Sequence, residues 1–345
     1  MRLLVTGNLG YIGSVLTEIL IENEIDFVGY DSGYFEKCLL QEVPNSFKQI
    51  KKDIRDIEIS DLKDIDTIIH MSALSNDPLG EFNSKITKEI NLDATINLAQ
   101  LAKKSDVGRF IYISSQSMYG ISNSNVELDE YDSEKNPVTE YAKTKWLAEI
   151  ELKKLSSREF SVVCLRPSTV FGASPRLRCD IVFNNLIASA YTSGKIEIKS
   201  DGSPWRPVVH VRDVCNAIIS TILAPVEKVE GQAFNVGIDN GNYTVKKLAE
   251  VVNKYVKGSE IKFTNEHLQD PRTYKVSFKK ILTELKDFYK PKWTLEKGAK
   301  ELIDFFNKID FTEEKFKGPL TNRIKHLSES INTKEIDSNF RKIKY

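Results

Sequence analysis

Cysteine is scarce in this chain. The four present (Cys38, Cys164, Cys179 and Cys215) have neither a metal-ligand spacing nor the pairing density of a disulfide scaffold. A zinc module and a disulfide framework are therefore not expected, and Cys164, inside Phe160-Ser-Val-Val-Cys-Leu165, reads as a small buried hydrophobe. An excess of charge is also missing: Lys+Arg and Asp+Glu both number 49, so nothing favours nucleic acid or an acidic membrane surface as a partner. The longest apolar runs are strand-sized, well short of the ~20 residues a membrane-spanning helix needs. The start runs straight into Arg2-Leu-Leu-Val-Thr6, a buried-strand pattern without the features of a secretory leader, so a cytoplasmic location is expected. Internal repeats and low-complexity linkers are lacking too. What is there, 41% hydrophobic and 28% charged residues over 345, suffices for two domains or one large α/β domain with an appended lobe.

Short β-branched runs alternate with longer helical patterns, which signals βαβ units and a parallel sheet. Strands are expected at Arg2–Thr6, Asp26–Tyr30, Ser46–Lys51, Thr67–Met71, Arg109–Ser114, Ser161–Arg166 and Ala233–Val236. Helices are expected at about Ile12–Asn23, Lys88–Lys104, Glu140–Leu155, Val182–Ser193 and Val211–Leu223, the first carrying the stripe Ile12, Val15, Leu16, Ile19 and Leu20. Glu197–Lys199 and Glu260–Phe263 read as short strands of a second lobe. Near the end, Leu320, Ile324, Leu327 and Ile331 fall at helical spacing. A terminal helix docked on the body is the first reading there, and a partner-binding tail the second.

Gly7-Asn-Leu-Gly10-Tyr11-Ile12-Gly13 follows the first strand and opens the first helix, the context a phosphate-binding loop requires. Its glycines permit a tight turn and close backbone approach, and the helix start offers N–H groups to a pyrophosphate. Asp31 ends the second strand at the distance where a carboxylate reaches adenosine ribose hydroxyls. It favours NAD, since it would repel a 2′-phosphate; a plain turn-capping Asp is the alternative. Asp53 and Ile54 could touch the adenine or simply form a turn. His70-Met71-Ser72-Ala73 ends the fourth strand with small residues that let backbone approach a cofactor, while His70 itself reads as a satisfied buried histidine.

Tyr-x-x-x-Lys occurs four times, at Tyr131/Lys135, Tyr141/Lys145, Tyr191/Lys195 and Tyr243/Lys247. Only Tyr141/Lys145 opens a helix after a strand that breaks into hydroxyls at its end, Phe110-Ile-Tyr-Ile-Ser114-Ser115. Ser115 can hydrogen-bond a reacting oxygen there. Tyr141 and Lys145 share a helix face, so the lysine charge is expected to lower the tyrosine pKa and let a phenolate take a proton as hydride leaves carbon. Lys145 would also hold the nicotinamide ribose. Arg206 suits a phosphate bidentately, with a surface salt bridge as the alternative. Arg176 and Arg178 could both reach a substrate, and the sequence does not rank them.

Together with Asn91, Tyr119-Gly120, Leu165-Arg-Pro167, Asn184-Asn185-Leu186 and His210-Val-Arg-Asp213, these motifs make the chain resemble an extended short-chain dehydrogenase/reductase. The resemblance is to the nucleotide-sugar epimerase/dehydratase family that includes UDP-galactose 4-epimerase, and it runs through nearly the whole length. It implies an α/β fold: a Rossmann-type doubly wound parallel sheet with a smaller C-terminal α/β substrate lobe. The NAD-binding domain would span 1–166, with segments at about 205–240 returning to it. A nucleotide-sugar lobe would occupy mainly 167–310 and a helical tail 311–345. The family also implies a homodimer through helices at about 88–104 and 140–155.

By the same resemblance Asn91, Ser114 and Pro167 join the cofactor set, and Asn185 and Arg206 hold the nucleotide diphosphate, with Arg272 a late contact to it. Sugar 4,6-dehydratases of the family carry Asp-Glu after the catalytic hydroxyl, where this chain has Gln116-Ser117, so water elimination would lack its acid and base. Thr169 stands in place of a phosphate-contacting Asn and Ser75 in place of a lysine, both on the substrate side. The expected activity is an NAD-dependent nucleotide-sugar 4-epimerase acting by transient C4 oxidation. The alternatives are a 4-dehydrogenase or 4-ketoreductase and, from another class, a sensor that binds NAD without catalysis. The expected partner is a nucleotide-diphosphate sugar, with no metal, nucleic acid or membrane.

Overall fold

The computed structural model describes residues 1–122, 126–264 and 273–343. Seven strands form a central sheet: β1 (Leu3–Thr6), β2 (Phe27–Asp31), β3 (Lys48–Lys51), β4 (Thr67–His70), β5 (Arg109–Ile113), β6 (Ser161–Pro167) and, much later in the chain, Ala233–Val236. All neighbouring pairs are parallel. Counting β7 (Thr169–Phe171), β8 (Lys195–Ile198) and β9 (Trp205–His210) before it, the late edge strand is β10, and the spatial order is β10-β6-β5-β4-β1-β2-β3. The order reverses between β1 and β4, which opens a crevice at their C-terminal ends.

Alternation along the strands covers both faces of the sheet. Ile111 and Ile113 of β5, with Val163 and Leu165 of β6, enter one core, while Phe110, Tyr112, Val162 and Cys164 enter the other. That two-sided burial is why these strands read as nearly continuous apolar runs. The helices Tyr11–Glu22 and Val211–Leu223 pack together on the first side, and Ala94–Lys104 and Glu140–Leu155 on the second. A smaller lobe holds two further sheets. β7 and β9 run parallel with β11 (Asn242–Thr244) antiparallel to β9, and β8 pairs in parallel with β12 (Glu260–Phe263). No helix among the described residues is long and apolar enough to cross a membrane.

Three helices match their expected limits, Glu140–Leu155, Val182–Ser193 and Val211–Leu223. The helix expected at Lys88–Lys104 starts earlier and is interrupted: Ser84–Lys88 is α-helical, Glu89–Asp93 is a π turn, and Ala94–Lys104 is α-helical again. Near the end, Arg323–Asn332 forms the terminal helix and buries Leu327 against the body.

Candidate active site

A cavity of about 710 Å³ runs along the C-terminal ends of the sheet strands and into the smaller lobe. Its floor is the glycine loop. Gly7 takes φ +75°, and a Cβ there would lie 2.8 Å from the backbone of Met71, so β1 and β4 can diverge this tightly only around glycine. A Cβ on Gly13 would sit 2.2 Å from the Gly7 carbonyl, which brings the helix start against the loop. The helix Tyr11–Glu22 is capped by Gly10 with no side-chain hydrogen bond. Tyr11 and Ile12 complete this floor, although the Tyr11 phenol turns away and donates to the Gly172 carbonyl at 2.7 Å.

At one end of the cavity lie Asp31, Asp53 and Ile54. Asp31 accepts from the Leu9 N–H at 3.1 Å and the Gly33 N–H at 2.7 Å, so it caps the following turn and faces the cavity at once. Burial pushes its pKa up. Burial acts the same way on Asp53, but hydrogen bonds from Arg55 and Tyr34 outweigh it and hold that carboxyl below its ordinary value. Met71, Ser72, Ala73, Ser114 and Pro167 line the middle.

The π turn explains Asn91. Its Oδ1 accepts from the Leu74 N–H at 2.8 Å and its Nδ2 donates to the Leu74 carbonyl at 3.1 Å. Asn91 thus fixes the chain that leaves β4 from behind the cavity wall and does not line the cavity itself. His70 is buried between two threonines, Nδ1 2.7 Å from Thr6 Oγ1 and Nε2 2.8 Å from Thr95 Oγ1. Because Thr95 gives its proton to the Asn91 carbonyl, its oxygen receives the Nε2 proton, and Nδ1 is the acceptor from Thr6. With both ring nitrogens engaged in the neutral form, burial drives the His70 pKa down to about 3.

Ser115, Tyr141 and Lys145 all line the cavity, with the Ser115 hydroxyl hydrogen-bonded to Tyr141. Thr139 caps the helix Glu140–Leu155 by accepting from the Ala142 N–H at 3.2 Å, which sets Tyr141 in the first turn and Lys145 one turn on. Gly80 brings the short helix Asp77–Phe82 up to Tyr141; a Cβ there would lie 2.8 Å from that of Tyr141. Lys145 Nζ donates to the Ile113 carbonyl at 2.7 Å and sits 4.7 Å over the Tyr112 ring.

The expected lowering of the tyrosine pKa by the lysine is not what this geometry produces. Burial raises Tyr141 to about 12, and the groups that oppose it are the Ser115 hydroxyl and the Arg178 guanidinium. Burial also lowers Lys145 to about 7, so near neutral pH the lysine carries only part of its charge. Beneath them, the Glu149–Arg166 ion pair is fully buried: Arg166 Nε donates to Oε2 at 3.1 Å, Nη2 to Oε1, and Ser114 Oγ to Oε2 at 3.0 Å.

Toward the smaller lobe the wall carries Ser75, Gln116, Thr169, Asn185 and Arg206. Gln116 Nε2 donates to the Arg166 carbonyl at 3.0 Å, and its buried Oε1 has no partner among the described residues. Asn185 donates to the Cys179 carbonyl at 2.8 Å. The structure ranks the two arginines the sequence could not. Arg178 lines the cavity, bidentate on Asp180 at 2.9 and 2.7 Å and donating to Ser75 Oγ at 2.8 Å. Arg176 does not line it; its Nη1 donates to Ser14 Oγ at 3.0 Å inside the fold. Arg272 lies outside the described residues. Sequence reasoning missed Tyr34, Phe35 and Arg323 at the Asp31 end, and Asn76 and Asp180 beside Arg178. The Asn-Asp-Pro run at 76–78, an N-cap followed by proline, was a usable signal for the short helix that carries part of that wall.

A model of the NAD dependent epimerase/dehydratase family matches residues 3–237. The chain is 27% identical to the dTDP-D-glucose 4,6-dehydratase of Mus musculus, over 89% of each protein. It is 26% identical to the putative UDP-glucose 4-epimerase of Methanocaldococcus jannaschii, over 88% of this chain and 97% of that one. Among solved structures it is similar to MoeE5 in complex with UDP-glucose and NAD, with a TM-score of 0.76 and 25% identity over 89% of this chain and 99% of that one.

Proposed function

We propose, for a chain that belongs to the NAD-dependent epimerase/dehydratase family and is therefore an NAD-dependent enzyme, that it inverts C4 of a nucleotide-diphosphate sugar by transient oxidation at that carbon. The carrying observation is the meeting of Ser115, Tyr141 and Lys145 in one cavity with the glycine loop, where Gln116 and not a carboxylate follows the serine. Elimination of water needs an acid and a base beside C5 and C6. Of the cavity carboxylates, Asp180 is paired with Arg178, and Asp77 accepts from the Thr139 hydroxyl.

The residues fit NAD. Neither Gly7 nor Gly13 of the loop has room for a Cβ, and Asp31 offers carboxylate oxygens at the end where the ribose of an adenosine would lie. Gly10, Tyr11 and Ile12 would hold the pyrophosphate through backbone, Asp53 and Ile54 the adenine, and Met71 to Ala73, Ser114 and Pro167 the nicotinamide half. When bound, NAD supplies a hydride acceptor and donor, and a positive ring charge that favours a phenolate on Tyr141.

Tyr141 takes the proton of the C4 hydroxyl and later gives it back. Ser115 hydrogen-bonds the same oxygen and orients it, while Lys145 anchors the tyrosine face of the helix to the end of β5. Asn185 and Arg206 would grip the diphosphate, and the orphan Oε1 of Gln116 offers an acceptor to a sugar hydroxyl. Held at the diphosphate, the keto sugar would turn on the lobe side of the cavity before the proton returns.

The same reading divides the chain into a cofactor domain over 1–166, which recovers β10, and a sugar lobe mainly over 167–310. It also takes the protein as a homodimer through the helices at about 88–104 and 140–155, where Leu147 is 46% exposed. The test is incubation with UDP-, GDP-, CDP- and dTDP-sugars, with the C4 configuration of the product read by NMR. Inversion at C4 by the wild type and none by Tyr141→Phe, with NAD still bound, supports the proposal. A product that keeps a 4-keto group or has lost water contradicts it.

A further inference from the structure

We infer that the C-terminal segment from Asn322 to Ile343 is a wall of the dinucleotide site, stapling together the two stretches that close its Asp31 end and thereby slowing cofactor release. This rests on the placement of the adenosine half at Asp31. The loop between Asp31 and Lys48 contains neither helix nor strand, yet it supplies Ser32, Tyr34 and Phe35 to the cavity. An irregular stretch of that length has no reason to hold still on its own.

What holds it comes largely from the far end of the chain. His326 Nε2 donates to the Tyr34 carbonyl at 3.0 Å, and Lys37 pairs with Glu335 at 2.6 Å. Arg323, only 2% exposed, spans 5.2 Å over the Phe35 ring, donates to the Arg176 carbonyl at 2.7 Å, and itself lines the cavity.

The opposite side of this end, the turn Ile54–Asp56 after Asp53, is held by the same segment. Arg55 donates to the carbonyls of Asn339 at 3.0 Å and Phe340 at 3.1 Å. Arg341 bonds the Asp56 carboxylate and lies 3.4 Å from that of Asp53. The Tyr34 hydroxyl joins the two sides, 2.6 Å from Oδ2 of Asp53 and in hydrogen-bond contact with the Phe340 carbonyl. Leu327, Ile336 and Phe340, each at most 3% exposed, anchor the segment in the core shared with Tyr30 and Ile54.

A ligand at Asp31 therefore meets a wall already ordered before it arrives. Ordering the wall beforehand removes a cost from binding and shows mainly in the rate of release. A retained cofactor, which the epimerase reading requires, follows from slow release. A tail that merely capped the fold would change stability without favouring one ligand over another.

The experiment compares the full chain with one ending at Lys334 and with Arg341→Ala. Three quantities are read: the rate of NADH release by its fluorescence, the dissociation constant for UDP, and the melting temperature of the NAD-free protein. In the shortened chain NADH release is expected to quicken by about tenfold or more while UDP affinity stays within about twofold. Unchanged release, or NADH and UDP weakening in parallel, overturns the inference.

Should the shortened chain fail to fold, Arg341→Ala decides. It removes a partly exposed side chain, and release about two- to fivefold faster at an unaltered melting temperature supports the wall. An unaltered rate overturns it. Failure of the full chain to bind UDP would count against uridine as the substrate's base alone, because NADH release is measured without a sugar, and the comparison would then be repeated with the diphosphate that binds.

Discussion

Replacing Lys145 by methionine should make the NAD-free protein's stability less dependent on alkaline pH. Lys145 is 3% exposed, and burial brings its pKa to about 7, whereas in the unfolded chain it regains an ordinary value. Between these two values the unfolded state binds the extra proton, so stability rises with pH, by about 1.4 kcal/mol per unit where the difference is complete. Integrating from pH 7, where the folded group is half protonated, to pH 9 gives about 2 kcal/mol of added stability from this side chain. Methionine fills similar volume and does not titrate, so the variant should lack that gain. It should also lose turnover, since the amine that ties the Tyr141 face of the helix to the Ile113 carbonyl is gone.

The assay is urea unfolding of cofactor-stripped wild type and variant at pH 7 and pH 9. The double difference cancels titrating groups common to both. Equal pH responses in the two proteins would show that Lys145 keeps its full charge in the fold, and would refute the account of its environment.

The acid side should depend on His70: with a folded pKa of about 3, the unfolded chain takes up the proton as pH falls below its ordinary value. Stability is then lost progressively, about 2 kcal/mol by pH 5, and His70→Gln should flatten this limb in the same unfolding assay. Glu149→Ala leaves the Arg166 guanidinium, 1% exposed, without its carboxylate and should cost about 3–5 kcal/mol in urea unfolding. Gly13→Ala drives a Cβ to 2.2 Å from the Gly7 carbonyl and 2.6 Å from Asn8 Cα, both backbone atoms that cannot step aside. It should cost about 1–3 kcal/mol and abolish detectable NAD binding by calorimetry.

Much of the site was legible because its residues sit where period and chain order leave few choices. The glycine loop follows a run of buried residues and precedes a helical stripe, and of four Tyr-x-x-x-Lys pairs only Tyr141/Lys145 opens a helix after a hydroxyl-bearing strand end. Other features depend on contacts that local pattern does not encode. The π turn at Glu89–Asp93 has ordinary helix composition, and the chain after β4 that Asn91 ties down is distant in sequence. Arg176 and Arg178 stand two residues apart in an irregular stretch, where no period says which one faces inward. The charge state of Lys145 follows from burial, which a Lys one turn after a Tyr does not reveal. Leu327 announced a docked helix, but not that Arg323 would close on Phe35, and Phe340 on Tyr34 and Arg55, near the chain's other end.

The most direct test of the central claim is the fate of deuterium placed at C4 of the nucleotide sugar, followed by NMR with unlabelled NAD in the medium. The account predicts that the label remains at C4 in a product of inverted configuration, with no deuterated NADH released. Label leaving the sugar for the medium cofactor, in step with a 4-keto product, would contradict it and make the enzyme a dehydrogenase.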